Sequence, residues 1–223
     1  MPIVLLPAWG YAASRGDWRR GVRAELGDEA PPYLWADDLL DAWLAEALGT
    51  LSLRLPCEAT LVVASVAGQA EYPLPLGVLA VTAVEHPPGQ ARVRGTSLDT
   101  ARAGGAATFL VWDGRLVLRP APAADGEAIG VRYLARRAVP AADSDPLPVE
   151  AGDEELLSLY VCARALAWVG TQEGKRQAVE HQRGAAALML AEYYERQYQA
   201  RLAARTRLGH MAVGSGAARL LAT

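Results

Sequence analysis

A run of short, sharply punctuated β-type segments, residues 58–137, lies between helical sequences and constrains this fold most. The clearest unit is a hairpin in which the apolar runs 109–112 and 115–119 are separated by Asp113 and Gly114 alone. A two-residue type I′ turn needs positive φ at both central positions, and Asp and Gly tolerate it. The Pro-Ala-Pro stretch 120–122 then ends the second strand, because proline donates no hydrogen bond to a sheet ladder. The chain is therefore expected to carry a β insertion inside a helical frame.

Six segments of this insertion have the composition of strands and are bounded by proline or glycine clusters. They are 59–66, 70–74, 78–86, 107–112, 115–119 and 127–135. Short strands joined by short connections favour an antiparallel sheet or a small sandwich. Residues 92–106 are expected to form a long surface loop.

Three helices are predicted around the insertion. The first spans 37–48, with Asp37 and Asp38 at the positive end of its dipole and Gly49 as a left-handed stop. The second spans about 153–169 and ends at Gly170, and the third runs without a proline from about 172 to 208, which is about 55 Å at 1.5 Å per residue.

The two ends of the chain are expected to be irregular. Residues 1–32 read as an arm that packs on the body, and the glycine-rich stretch from Gly209 reads as a flexible tail. The predicted fold class is α+β, a helical bundle with an inserted antiparallel sheet or small sandwich. The predicted domains are an N-terminal arm 1–34, a helical domain 35–57 with 147–208, a β domain 58–146, and a tail 209–223.

The charge of the chain is divided unevenly. Its 223 residues carry a net charge of −3, which excludes a strongly basic nucleic-acid-binding domain. From Thr171 onward eight Lys or Arg face four Glu, so this part is +4 and the remainder is −7. Such a division suits docking on two partners or on further copies of the chain. An ordinary solvated helix explains it equally well.

No catalytic, metal or cofactor motif is found in the sequence. The two cysteines lie far apart and the three histidines have no Cys or His at i+3 or i+4, so no metal site is expected. No phosphate-binding glycine motif or esterase elbow occurs. The acids Asp37 and Asp38 are explained by helix-start stabilisation. The N-terminus lacks a basic n-region and no stretch of 18 apolar residues occurs, so the protein is expected to be cytosolic where it is made.

Aromatic residues fall into two predicted groups. Trp35, Trp43, Trp112 and Trp168 lie in or beside regular elements and are expected in the core. Those in the arm and on the last helix are candidate interface anchors: Trp9, Trp18, Tyr193, Tyr194 and Tyr198.

The order of the elements resembles that of the head-to-tail adaptor (connector) proteins of tailed bacteriophages. The resemblance covers about residues 35–205. It is carried by the helix 38–47, the strand restart 66–75, the hairpin 112–122, the strand 126–133 and the exit 145–148 that runs into the helix 154–166. Residues 1–34 depart from the pattern.

The resemblance implies a structural virion protein without enzymatic activity or cofactor. It implies a ring of twelve copies between the portal protein and a downstream tail or head-completion protein, assembled in the host cytoplasm, with DNA passing through the lumen without sequence-specific binding. The candidate portal-docking residues are Tyr193, Tyr194, Arg196, Tyr198, Arg201, Arg205, Arg207, His210 and Met211. The candidate subunit or tail interface residues are Trp9, Trp18, Arg92 and Arg94.

Three other readings are compatible with the residues. The chain could be another phage tail or assembly protein, or a ligand-binding β-module carried on helices. A hydrolytic enzyme would need convergent acids, for which Asp41, Asp99 and Asp113 are the candidates.

Overall fold

The computed structural model describes residues 3–5, 13–95, 107–173 and 181–220, and it gives the backbone alone for 3–5, 173, 181–183 and 207–220. This part of the chain forms four helices and eight strands. The helices are α1 (Arg15–Leu26), α2 (Asp37–Arg54), α3 (Glu154–Glu173) and α4 (His181–Leu220). The strands are β1 (Ile3–Leu5), β2 (Cys57–Ala64), β3 (Glu71–Pro73), β4 (Val78–Glu85), β5 (Val93–Arg94), β6 (Thr108–Trp112), β7 (Arg115–Arg119) and β8 (Ala128–Ala135). The α+β class, a helical part with an inserted β part, is confirmed.

The chain divides into two compact units. One comprises Met1–Ala8 with Pro56–Arg137, and the other comprises Trp9–Leu55 with Ala138–Thr223. The stretch 138–146, which the sequence assigned to the β domain, thus falls in the helical unit.

The β unit contains two four-stranded sheets, with strand orders β1-β2-β8-β4 and β3-β7-β6-β5. All pairs are antiparallel except β5–β6. The turn between β6 and β7 has φ of 47° at Asp113 and 67° at Gly114, as the Asp-Gly signal predicts. Its core contains the buried side chains of Ala59, Leu61, Tyr72, Val81, Val84, Phe109, Leu116, Leu118, Ile129, Val131 and Tyr133.

The helical unit is built around a second core. Buried leucines of α2 pack with α3 and with Tyr198 and Leu202 of α4. The helices α3 and α4 run antiparallel, since Gly170 near the end of α3 lies against Leu188 of α4 whereas Asp153, just before α3, binds Arg205. The loop residues Leu147 and Val149 are also fully buried in this core.

Three predictions about helix ends were wrong. Helix α2 continues through Gly49 to Arg54 because Leu48 and Leu51 on its inner face are buried, and burial of that kind outweighs the cost of about 1 kcal/mol for a helical glycine. Helix α3 continues through Gly170 to Glu173. Helix α4 continues to Leu220, through the stretch from Gly209 that was predicted to be a flexible tail.

The N-terminal arm was also predicted wrongly, because it contains α1. The Ser14 side chain accepts a hydrogen bond from the Asp17 N–H at 3.1 Å, which caps the first turn. Gly27, with φ of 66°, ends the helix in a left-handed conformation. The Ser-x-x-Asp pattern and the glycine twelve residues beyond Arg15 were present in the sequence as cap signals.

Candidate assembly surfaces

Three arginines of α1 fix this helix within the helical unit. The Arg19 guanidinium donates to both carboxylate oxygens of Asp41 at 2.8–2.9 Å and to Asp143 at 3.0–3.1 Å. Arg15 donates to the same Asp143 carboxylate at 2.7–2.9 Å. Burial lowers the pKa of Arg19, but its hydrogen bonds to Asp41 and Asp143 outweigh that and leave the pKa raised. The hydrogen bonds from Arg15 and Arg19 lower the pKa of the Asp143 carboxyl.

A second ion pair of α1 is buried. Arg23 pairs with Asp28, and both side chains are less than a tenth exposed. Arg23 also donates to the Trp35 carbonyl at 2.8 Å and to Asp37 at 2.7 Å. Asp37 and Asp41 of α2 therefore bind arginines of α1 and do not form a free acid cluster.

Tyr198 does not lie on a docking surface. It is 2% exposed and packs edge-on against Tyr160 with ring centroids 5.4 Å apart. Desolvation raises its pKa to about 12. Tyr194 is half-buried against the same core, whereas Tyr193 is 50% exposed. Because α4 turns about 100° per residue, these neighbouring tyrosines divide between its inner and outer faces.

The arginines of α4 also divide by role. Arg205 donates to Asp153 at 3.0 Å and pairs with Glu150, and Arg201 pairs with Glu155, so both bind the N-terminal end of α3 and the residues before it. Arg196 is exposed and donates to the carbonyl of Glu192 at 3.3 Å. The remaining docking candidates, Arg207, His210 and Met211, lie where the structure gives the backbone of α4 without side chains.

Helices α3 and α4 border an open groove of about 530 Å³. It is lined by Ala163, Arg164, Ala167, Leu188, Ala191, Glu192, Glu195 and Arg196. Arg164 at its edge pairs with Glu46 of α2. Trp168, which was predicted in the core, is 37% exposed, and Met189 on the outer face of α4 is 71% exposed. Four of the lining side chains are apolar, two are arginines and two are glutamates.

Of the four candidates for a subunit or tail interface, two are buried. Trp18 is 4% exposed and belongs to the helical core. Arg92 is 7% exposed and donates to the carbonyls of His86 and Pro120, each at 2.9 Å. Burial lowers its pKa. Arg94 is exposed, and Trp9 lies outside the described residues.

The tip of the β6–β7 hairpin is an exposed apolar surface that the sequence analysis missed. Trp112, predicted in the core, is 69% exposed, and Leu76 is fully exposed. Trp112 precedes the turn directly and is paired in register with Arg115. The signal that could have identified this exposed surface was the position of Trp112 at the end of a hairpin strand, opposite the charged residue Arg115.

A sequence model of the SU10 adaptor protein family matches residues 16–215. The chain belongs to this family. The match begins inside α1 and ends inside α4, so it covers both units and the helix that the earlier resemblance left out. No curated protein matches the chain.

As an SU10-type adaptor, the chain is a structural component of a phage virion that interacts with other virion structural proteins. Within the described residues, no group of three or more His, Cys, Asp or Glu side chains could hold a metal ion. No described helix is long and apolar enough to cross a membrane.

Proposed function

We propose that this adaptor assembles as a ring between the portal and the tail and continues the DNA channel below the head. The ring has twelve copies, and the C-terminal part of α4 binds the portal. The family match over 16–215 supports the adaptor role, and the form of α4 supports the mode of docking.

The length of α4 is the observation that carries this proposal. It has 40 residues against 20 in α3, which corresponds to about 60 Å and about 30 Å. The ion pairs of Arg205 with Asp153 and Glu150 mark where the start of α3 lies beside α4. Residues 206–220 thus extend about 22 Å beyond that point as continuous helix. A helix that extends beyond its own bundle can insert into a groove of a partner protein.

Of the predicted docking residues, those that remain available for this role are Tyr193, Arg196, Arg207, His210 and Met211. Tyr193 and Arg196 lie on the exposed side of α4, and the other three belong to the extension. Tyr198 and the paired arginines, Arg201 and Arg205, instead hold α4 on α3. They make the base of the extension rigid.

The proposal also concerns DNA. A net charge of −3 supports passage of the duplex without tight binding, because non-specific affinity depends on neutralising phosphates with Lys and Arg. We therefore expect only weak binding of duplex DNA, whatever its sequence, by the free chain at physiological salt. Tight retention of duplex DNA in a filter-binding assay would contradict this.

The test of the proposed function uses the full chain and a variant that ends at Thr206. Both are mixed with purified portal rings of the phage that encodes the chain and examined by electron microscopy. The full chain is expected to form a ring of twelve on one face of the portal, and the shortened chain is expected to fold but to remain unbound. Circular dichroism checks the folding, since Leu202 and Arg205 are retained in both. Equal binding by both chains, or single copies on the portal, would contradict the proposal.

A further inference from the structure

The N-terminal strand β1 covers the edge of a sheet with only three residues. It pairs antiparallel with β2, and Leu5 lies opposite Thr60. Because β1 is the outermost strand in the order β1-β2-β8-β4, β2 is its only partner in this sheet. Pro2 and Pro7 flank the strand, and proline has no N–H to donate to a ladder. The attachment of β1 is therefore short and has little room to lengthen.

Strand β2 needs a cover at this edge. It has eight residues, pairs with β8 along its whole length on the other side, and carries one charged residue, Glu58. A long edge strand with so little charge is a template for pairing with another chain. The pairing with β1 shows which segment fits the edge. That segment belongs to a stretch of nine N-terminal residues without a charged side chain.

The distance that β1 can reach is set by the next fixed point of the chain. The chain passes from the β unit to the helical unit between Ala8 and Trp9, and the Ala13 carbonyl accepts a hydrogen bond from the Leu147 N–H at 3.0 Å. Eight Cα steps separate Leu5 from Ala13, which span at most about 26–29 Å. A compact unit of about 90 residues is about 30 Å across. The reach thus extends to a copy that lies alongside.

We propose that, on the portal, β1 of each copy leaves its own β2 and pairs with β2 of the next copy. The inference rests on the proposed ring and identifies the segment that links its copies. An exchanged β1 makes the same ladder, so no pairing is lost, and exchange of an identical element is a low-cost way to join protomers. Each copy donates β1 to one neighbour and receives β1 from the other. Such a contact is heterologous, and its repetition by a closing rotation gives a ring.

Docking on the portal is what starts the exchange. In the free chain β1 pairs with its own β2, which covers the edge and guards it against pairing with other chains before assembly. On the portal the copies are held side by side, so the β1 of a neighbour is present at a high effective concentration. The exchange therefore follows docking.

A chain with both Leu5→Cys and Thr60→Cys tests the exchange. Directly opposite residues of antiparallel strands have Cα atoms about 4.5–5.5 Å apart, which a disulfide can bridge. Oxidation of the free chain is expected to give a monomer with an intrachain disulfide. Rings that are assembled under reducing conditions and then oxidised are expected to give a ladder of linked multimers on a non-reducing denaturing gel.

The controls are the two single variants, each oxidised on the portal. Neither should give linked multimers, because the native Cys57 and Cys162 are buried. If the rings of the double variant give only the intrachain-linked monomer, the exchange is refuted. If the free double variant forms no disulfide at all, the register of β1 on β2 is wrong and the inference falls with it.

The lifetime of the ring gives a second measurement. The double variant is oxidised before it meets the portal, so the disulfide holds β1 on its own β2. Because exchange conserves the number of ladders, the locked chain is expected to differ in how fast copies leave: a copy in an exchanged ring must first break a ladder. After dilution, locked rings should lose labelled copies at least about tenfold faster than rings of the reduced chain, and reduction should remove the difference. Equal rates would contradict the exchange.

The outcomes separate the two proposals. Absence of wild-type rings on the portal would overturn the proposed function together with this inference. Wild-type rings, with intrachain disulfides alone in rings of the double variant, would overturn the inference and leave the proposed function standing. Linked multimers of the free chain, formed without the portal, would overturn the claim that docking precedes the exchange.

Discussion

Among the described glycines, Gly170 of α3 has the least space for a side chain, because α4 lies directly against it. Adding one methyl group there tests the packing of α3 on α4. A Cβ at this position would lie 2.6 Å from Leu188 Cγ, 2.7 Å from Leu188 Cδ2 and 3.1 Å from the Gly184 carbonyl oxygen. The first two distances are far inside van der Waals contact. Gly170→Ala therefore forces Leu188 or the helix axis to move.

The expected change combines two opposing terms. Overpacking costs about 1–3 kcal/mol, and the better helix propensity of alanine returns about 1 kcal/mol. The net expectation is a loss of about 1 kcal/mol in the free energy of unfolding. Without Leu188 the two shortest contacts vanish, so in a Leu188→Ala background the same change should become neutral or stabilising by about 0.5 kcal/mol. The coupling energy of the double-mutant cycle is then about 1–2 kcal/mol.

Urea unfolding followed by far-ultraviolet circular dichroism measures this cycle. All four described helices belong to the helical unit, so the signal reports on that unit. Gly49→Ala in α2 is the matched control, because a Cβ there meets nothing within 4 Å and the substitution should stabilise by about 0.5–1 kcal/mol. If Gly170→Ala stabilises the wild-type chain as Gly49→Ala does, or if the cycle shows no coupling, the close approach of α3 and α4 is refuted.

Three further predictions concern buried polar groups. Tyr198→Phe should leave the unfolding free energy unchanged or raise it by about 1 kcal/mol, because its hydroxyl is buried without a hydrogen-bond partner among the described residues; a loss above 1 kcal/mol in urea unfolding would show that this account is wrong. Arg23→Ala should cost about 3–5 kcal/mol in the same assay, since it leaves the Asp28 carboxylate buried and uncompensated, and adding Asp28→Asn should recover part of the loss. Desolvation and Arg92 lower the pKa of His86, against the opposing effect of Glu127, so the unfolded chain binds this proton more readily than the folded one. The β unit should therefore be most stable above the ordinary histidine pKa of about 6.5 and lose stability as pH falls through the folded value; amide hydrogen exchange in β8 at decreasing pH measures it, and His86→Gln should flatten the dependence.

The strands were predictable from the sequence because their limits are set locally. The bounds of β7 agree with the predicted segment 115–119, and those of the other predicted strands differ by no more than two residues at either end. Proline and glycine clusters end strands through backbone chemistry that does not depend on the rest of the fold. The short β1 and β5 were missed, since a strand of two or three residues has no periodicity to detect.

The helix ends were less predictable because tertiary packing decides them. Gly49 and Gly170 have the same local signal as a helix stop, yet both lie inside helices. At Gly49 the neighbouring leucines are buried, and at Gly170 the partner helix needs the space that a side chain would take. Gly27, in contrast, does end α1. Which glycine acts as a stop depends on contacts with residues distant in the sequence, and a single sequence does not contain that information.

The same limit applies to the candidate docking residues. Helical spacing places aromatic and basic residues on α4, but the choice between inner and outer face depends on where α3 lies. One face of α4 buries Tyr198 against Tyr160 and pairs Arg205 with residues just before α3. The opposite face leaves Tyr193 and Arg196 exposed.

The division of α4 into a packed face and an exposed face changes how the positive charge of the C-terminal part should be interpreted. Of the arginines on α4 whose side chains are described, Arg201 and Arg205 are neutralised by acids at the start of α3, and Arg196 remains without an ion pair. Exposed ion pairs contribute about 0–1 kcal/mol each, whereas a buried aromatic anchor contributes 2 kcal/mol or more. In the proposed assembly, exposed apolar side chains such as Trp112, Met189 and Tyr193 are therefore expected to supply more of the contact energy than the arginines of α4.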